Sequence, residues 1–243
     1  MNIKNHIPNM LTLTNMLAGI LSIYMAMKGD LVTASYLIFI AAVFDFLDGF
    51  TARLLNAYSE IGAQLDSLAD LVSFGLAPGF VLFNMINISH GQPGNTASST
   101  TFMPFLGFII PLFAALRLAK FNIDDKQQNS FLGIPTPAVA ILIASYPLIK
   151  SYLYHDRGLY YMIITNTYFL TATAFAMSFL MVVPLPMFAF KFKNYGWKDN
   201  KVKYVFLALS LILIIIFKSV AIPVIIAFYL LLSLVFYLTD IQS

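Results

Sequence analysis

The chain has 243 residues, 60% of them hydrophobic and only 10% charged, with a formal net charge of +3 and a mean hydropathy of +0.82. Those proportions lie far outside the range of a water-soluble domain and indicate a polytopic membrane protein. The small net charge gives no ground for nucleic-acid binding. The absence of cysteine excludes disulfides and thiolate metal centres, leaving oxygen and imidazole as metal donors.

Lipid offers no hydrogen bonds to a bare backbone, so spanning segments must be helices or closed barrel strands, and the apolar runs here have helix length. The expected fold class is all-α, a polytopic membrane helix bundle. In chain order the spans are expected at 8–27, 31–54, 61–88, 102–121, 134–153, 160–183, 203–217 and 220–238. The first begins with one lysine and an apolar run, as a signal peptide does. No small-x-small cleavage site follows and Asn9, Thr12 and Asn15 interrupt the run, so it is read as a span. The Gly/Ser/Thr-rich segment 89–101 reads as a loop, a basic stretch covers 191–203, and the last two spans form a hairpin at Lys218 and Ser219. No linker divides the chain and no strong repeat is visible. His6, His90 and His155 lie far apart in terminal or loop segments and are read as surface residues.

With the N-terminus in the cytoplasm, the inside segments hold Lys4, Arg53, Arg117, Lys120, Lys126, Lys191, Lys193, Lys198, Lys201 and Lys203, ten of the 14 basic residues. The opposite side holds Lys28, Lys150, Arg157 and Lys218. This bias predicts both termini in the cytoplasm.

The second and third spans carry Asp45-x2-Asp48-Gly49-x2-Ala52-Arg53-x8-Gly62-x3-Asp66-x3-Asp70. With roughly one residue type in twenty at each of eight fixed positions, a chance match is on the order of one in 10^8. An unpaired charge in an apolar segment costs several kcal/mol, roughly, and marks a functional site by default. Asp45 and Asp48 share a helix face at i, i+3, and Asp66 and Asp70 share one at i, i+4. The connection at 54–60 folds one face onto the other. Four hard oxygen donors then converge, which suits Mg2+, Mn2+ or Ca2+. Gly49 and Gly62 cost about 1 kcal/mol each against alanine in a helix; they admit either a ligand or a neighbouring helix.

Other residues keep two readings. Asn9, Thr12 and Asn15 recur every third residue, as a polar stripe toward a ligand or as interhelical hydrogen-bonding groups. Arg117 and Lys120, at i, i+3 near the cytoplasmic end of the fourth span, can reach the site from one face, the arginine offering a planar fork for a carboxylate or phosphate; both also fit as snorkelling anchors. Ser67, inside the motif, is a better candidate than Ser73, and Gly75, Pro78 and Gly79 are expected to bend the third helix. The Lys-rich stretch 191–203 is suited to attract anionic substrate or lipid. Intramembrane aspartates would also serve a cation transporter, an alternative that leaves the Gly, Ala and Arg positions without a purpose.

The signature D-x2-D-G-x2-A-R-x8-G-x3-D-x3-D resembles that of the CDP-alcohol phosphotransferase family at every position. The resemblance implies a six-helix membrane core with a bimetal site, holding two divalent cations, Mg2+ or Mn2+, where a hydroxyl attacks a CDP-linked phosphodiester and CMP leaves. It implies that Asp45, Asp48 and Asp66 are metal ligands and that Asp70 completes the site and takes the proton from the hydroxyl. Asp48, Gly49, Ala52, Arg53 and Gly62 would contact the cytidine diphosphate. Within the family, Ile7-Pro8-Asn9-x2-Thr12-Leu13-x-Asn15, the run from Leu65 to Pro78, Arg117-Leu-Ala-Lys120-Phe121-Asn122 and the turn at Gly133–Pro137 resemble the bacterial members that use CDP-diacylglycerol and L-serine. Leu71, where glycerophosphate-using members often have lysine, argues against that acceptor. Inositol phosphate, glycerol-3-phosphate, choline or an archaeal ether lipid donor remain alternatives. Arg117, Lys120, Asn122, Ser67, Asn15 and Thr12 are the candidates for substrate binding. A core at 1–185, a basic loop with a C-terminal hairpin at 186–243, a homodimer in the bacterial cytoplasmic membrane and a cytoplasmic active site complete the expectation.

Overall fold

The computed structural model describes residues 6–57, 59–89, 102–123, 132–156, 158–187 and 196–239. Most of the loop at 89–101, the basic residues Lys4, Lys126, Arg157, Lys191 and Lys193, and His90 lie outside them.

Helices α1 (His6–Met27) and α2 (Leu31–Leu55) form an antiparallel pair. Gly29 turns the chain at φ +83°, and Asp30 caps α2 by accepting from the Thr33 N–H at 3.0 Å. Ala18 and Ala26 on α1, and Ala34 and Ala41 on α2, are buried; side chains this small let two backbones approach. Ser22 uses that proximity to donate to the Ala34 carbonyl at 2.8 Å.

Two polar caps then reverse the chain within positions 56–59. Asn56 ends α2 in the left-handed region at φ +49°, its N–H turned back to the Ala52 and Arg53 carbonyls, a conformation asparagine tolerates better than most residues. Ser59 opens α3 (Glu60–Asp70) by accepting from the Gly62 N–H at 3.0 Å. Since α1 and α3 are both antiparallel to α2, they run in the same direction.

Helix α3 passes through a π-helical turn, Leu71–Leu76, into α4 (Ala77–Ser89). The irregularity in the third span is this turn, which contains Gly75, and Gly75 and Gly79 also serve packing. A Cβ on Gly79 would lie 2.9 Å from Pro111 Cδ, and one on Gly75 3.2 Å from Ala114 Cβ. Both glycines admit α5 (Ile109–Ile123), which follows a 3-10 segment at Met103–Phe108.

Helix α6 (Thr136–Tyr152) is largely buried, and its Ile143 shares the core with Phe74, Leu82, Ile86, Ile110 and Leu170. Gly133, at φ +73°, ties its start to the far end of the next span, donating to the Leu185 carbonyl at 2.9 Å. The expected sixth span is interrupted: α7 (Leu159–Ile164) stops at Thr165, and Asn166 starts α8 (Thr167–Val182) by accepting from the Tyr168 and Phe169 N–H groups. Finally α9 (Trp197–Phe217) and α10 (Ala221–Thr239) form the expected hairpin through a 3-10 turn at Lys218–Val220, and α10 packs on α6.

Among the described residues, His6–Met27, Leu31–Leu55, Glu60–Ser89, Met103–Ile123 and the hairpin stretch Asn200–Thr239 are long and apolar enough to cross a membrane, with Thr167–Val182 a shorter apolar helix. The all-α bundle expected from composition is what forms, with the build of an integral membrane protein.

Candidate active site

The two faces predicted by helical spacing do meet. Asp45, Asp48 and Asp66 each place a carboxylate oxygen within 4.8 Å of the others. Asp70 lies beside Asp45. Asp48 is buried, whereas Asp45, Asp66 and Asp70 keep partial exposure. Four carboxylates at this spacing repel one another strongly in a poorly hydrated site.

Little in the protein offsets that repulsion. Thr12 of α1 donates to Asp48 Oδ2 at 2.7 Å. One carboxylate oxygen of Asp66 and one of Asp70 are buried without any hydrogen-bond partner. Buried polar atoms are nearly always satisfied, so orphaned carboxylate oxygens in a cluster suit a divalent cation as their partner. The donor set is all oxygen, and its close convergence fits hard divalent ions.

Beside the cluster a cavity of about 260 Å³ is lined by Pro8, Asn9, Thr12, Asp48, Gly49, Ala52, Arg53, Ala57, Ser59, Gly62, Ala63 and Asp66. Each motif residue expected at the nucleotide is therefore on its wall. The two motif glycines differ in surroundings. A Cβ on Gly49 would meet only the Arg53 guanidinium, 3.7 Å away, whereas one on Gly62 would lie 2.9 Å from Ser59 Oγ and 3.1 Å from Asn9 Oδ1. Gly49 leaves the cavity open, and Gly62 also lets α1 and the α3 cap close on each other.

Helix α5 brings Arg117 to the opposite side. Its guanidinium feels the charge of Asp70, yet its Nε is buried without a hydrogen-bond partner. A second cavity of about 230 Å³ opens there, lined by Arg117, Lys120, Phe121, Leu132, Met181, Val182 and Pro184. Lys120 and Asn122 are exposed at the end of α5. Ser67 and Asn122 come together, the Ser67 hydroxyl donating to Asn122 Oδ1 at 3.1 Å and so joining α3 to α5.

The polar stripe of α1 divides. Asn9 lines the cavity and Thr12 holds an aspartate, but Asn15 is fully enclosed, with both side-chain polar atoms unpartnered. Pro8, Ala57, Ser59 and Ala63 are wall residues that the motif does not reveal. Ser59 had one legible signal, a serine three residues ahead of Gly62 at the start of an expected helix. Ser73, ranked below Ser67 from sequence, donates to the Asn15 carbonyl at 3.0 Å from a fully buried position.

Comparison with known proteins agrees with the geometry. The family described as CDP-alcohol phosphatidyltransferase matches residues 5–178. The CDP-diacylglycerol--serine O-phosphatidyltransferase of Helicobacter pylori (strain J99) is 36% identical over 138 residues, 56% of this chain and 54% of that protein. The protein of the same name in Bacillus subtilis is 32% identical over 176 residues, 68% of this chain and 90% of that one. The archaetidylserine synthase of Methanothermobacter thermautotrophicus is 32% identical over 154 residues, covering 60% of this chain and 59% of its own length. The chain thus spans about half the length of the Helicobacter relative. The matched region contains all four aspartates, both motif glycines and Arg117, and on that footing the chain belongs to the CDP-alcohol phosphatidyltransferase family.

Proposed function

We propose that the protein transfers the phosphatidyl group of CDP-diacylglycerol to L-serine, forming phosphatidylserine and releasing CMP. The observation that carries this reading is the meeting of Asp45, Asp48 and Asp66, with Asp70 beside Asp45, next to a cavity walled by Gly49, Ala52, Arg53 and Gly62. The names of the Helicobacter and Bacillus relatives support serine as acceptor, and Leu71 in place of lysine argues against glycerol-3-phosphate.

Asp45, Asp48, Asp66 and Asp70 would hold two divalent cations, Mg2+ or Mn2+. Bound there, such ions neutralise pyrophosphate oxygens and ease departure of the nucleotide. The chain supplies the rest. Gly49 and Gly62 let the cytidine diphosphate approach two helix backbones, and Arg53 adds a cation at the cavity wall. Asp70 accepts the proton of the serine hydroxyl as its oxygen attacks the phosphorus bearing diacylglycerol. The bond from that phosphorus to the bridging oxygen breaks, and CMP leaves with the electron pair. Arg117, facing Asp70 with an unpartnered Nε, is suited to the serine carboxylate or the lipid phosphate. Lys120, Asn122, Ser67 and Thr12 are the remaining candidates around the substrates, whereas Asn15, fully enclosed, is out of their reach.

Residues 1–185 form the catalytic core in this reading and 186–243 an addition to it, in keeping with the end of the family match at 178. The positive-inside bias supports cytoplasmic termini and a cytoplasmic active site, in a bacterial cytoplasmic membrane, and the family resemblance supports a homodimer. Likeness to an archaetidylserine synthase supports a second reading in which the donor is an ether lipid and the acceptor is still serine.

The test is CMP release by purified protein in detergent with CDP-diacylglycerol or its ether analogue and Mn2+ or Mg2+. L-serine, glycerol-3-phosphate, inositol phosphate and no acceptor are compared, with Asp70→Asn as control. Serine-dependent release lost in the control is expected. Release with a different acceptor would overturn the serine assignment, and cation flux without CMP release would return the transporter.

A further inference from the structure

Helix α1 carries a hydrogen bond to each of the two aspartate helices. Thr12 donates to Asp48 on α2 at 2.7 Å. One turn along, the Asn15 carbonyl accepts from Ser73 at 3.0 Å, and Ser73 lies three residues beyond Asp70. Thr12 and Asn15 are likewise three residues apart. Three residues of α-helix span about 4.5 Å, and α1 and α3 run in the same direction. The step from Thr12 to Asn15 along α1 therefore parallels the step from Asp70 to Ser73, one bond lying on an aspartate and the other a turn beyond one.

The Ser73 bond is not ordinary helix chemistry. A serine within a helix commonly turns its hydroxyl back to a carbonyl of its own preceding turn, as Ser35 does to Leu31. Ser73 instead crosses to another helix, 58 residues away in sequence, from inside the π-helical turn that starts directly after Asp70. π-turns are rare and often sit at functional sites. Gly19 makes the crossing possible: a Cβ there would lie 2.7 Å from Ser73 Cα, so α1 meets the turn backbone to backbone. Asn15, Ser22 and Ser73 are all fully buried along this seam.

We infer that Ser73 and Gly19 are positioning residues for Asp70, and that α1 acts as the strut setting the distance between the proton-accepting aspartate on α3 and the aspartates on α2. This rests on the role given to Asp70 above. It assigns neither residue a contact with substrate. The carboxylates of α2 and α3 repel each other, the short connection between the helices limits sliding but not splaying, and α1 is bonded both to α2 through Thr12 and to the turn directly after α3 through Asn15.

The protein has no cysteine, which permits a distance measurement independent of turnover. Leu17 on α1 and Leu68 on α3 are exposed, at 53% and 56%, and can be replaced by cysteine and spin-labelled. In the full chain in detergent, Ser73→Ala is expected to broaden the Leu17–Leu68 distance distribution, and Gly19→Ala to shift it to longer distance. In the unlabelled protein Ser73→Ala is expected to lower kcat roughly 10-fold or more, with the KM for CDP-diacylglycerol and the melting temperature little changed. Unchanged distance distributions in both variants would overturn the inference. So would an unchanged kcat, or a fall in kcat accompanied by equal losses in KM for CDP-diacylglycerol and in melting temperature, which is the mark of general destabilisation. If wild-type protein releases no CMP with serine, the reading of the reaction fails while the distance measurement still decides the strut.

Discussion

Thr12 and Asp48, 36 positions apart, are joined by a 2.7 Å hydrogen bond in which the threonine hydroxyl donates to a buried carboxylate. A hydrogen bond to a charged group contributes about 1.5–3 kcal/mol, and removing the donor leaves the carboxylate to bear its desolvation alone. Thr12→Val keeps the shape and deletes the hydroxyl. It is expected to lower stability by about that amount and CMP release by roughly 10-fold or more, while Thr12→Ser retains most of both. Thermal unfolding in detergent and the CMP assay check it.

Gly49 and Gly62 separate a cavity effect from a packing effect. Alanine at Gly49 meets nothing closer than the Arg53 guanidinium at 3.7 Å and gains about 1 kcal/mol of helix propensity. Gly49→Ala is therefore expected to fold at least as stably as wild type yet release CMP more slowly, because the methyl group enters the cavity. Gly62→Ala presses on Ser59 Oγ and Asn9 Oδ1 and is expected to lose both stability and activity. Melting temperatures of the two variants, read beside their KM for CDP-diacylglycerol, make the comparison.

Cation removal has a stability readout as well as a kinetic one. With carboxylate oxygens of Asp45, Asp48 and Asp66 within 4.8 Å of one another, a divalent ion relieves repulsion in the folded protein alone. Mn2+ at 100 times its dissociation constant is expected to stabilise the protein by about 2.7 kcal/mol, with EDTA reversing the gain. Asp48→Asn should blunt this response. A melting temperature insensitive to Mn2+ and Mg2+ in the wild type would remove the metal assignment.

Arg117→Lys tests the acceptor side. Lysine keeps the charge but loses the planar fork, so the KM for L-serine is expected to rise roughly 10-fold or more with little change in melting temperature. Arg117→Ala should cost more than the lysine variant. Equal KM values for serine in wild type and Arg117→Lys would place the serine carboxylate elsewhere.

The aspartate faces were legible in the sequence because i, i+3 and i, i+4 spacing fixes which side chains share a helix face, whatever surrounds the helix. The hairpin at Lys218 was legible from hydropathy. What escaped were features set by neighbours far along the chain. Thr12 reads equally as a ligand-facing or a helix-facing residue until Asp48 is seen beside it, and Ser73 looks incidental until Asn15 is known to lie across from it. The break at Thr165 was hidden by the apolar residues on both sides, although Asn166 is a good N-cap. The π-turn left no compositional mark, since Gly75 and Gly79 suggest a bend as readily as the close packing of α5.

The reversal at positions 56–59 also bears on how the protein is made. Four residues cannot stretch to let α3 slip by a turn of helix against α2, so the pairing of the two aspartate faces is fixed as soon as the third span enters the bilayer. Chains emerge N-terminus first, and α1, α2 and α3 together reach only to Asp70. The elements that carry the acidic half of the site leave the ribosome before α5, so Arg117 is the later arrival. Until α5 docks, the four carboxylates have no cation from that helix to meet them, and early capture of divalent ions would steady the pairing of α2 and α3.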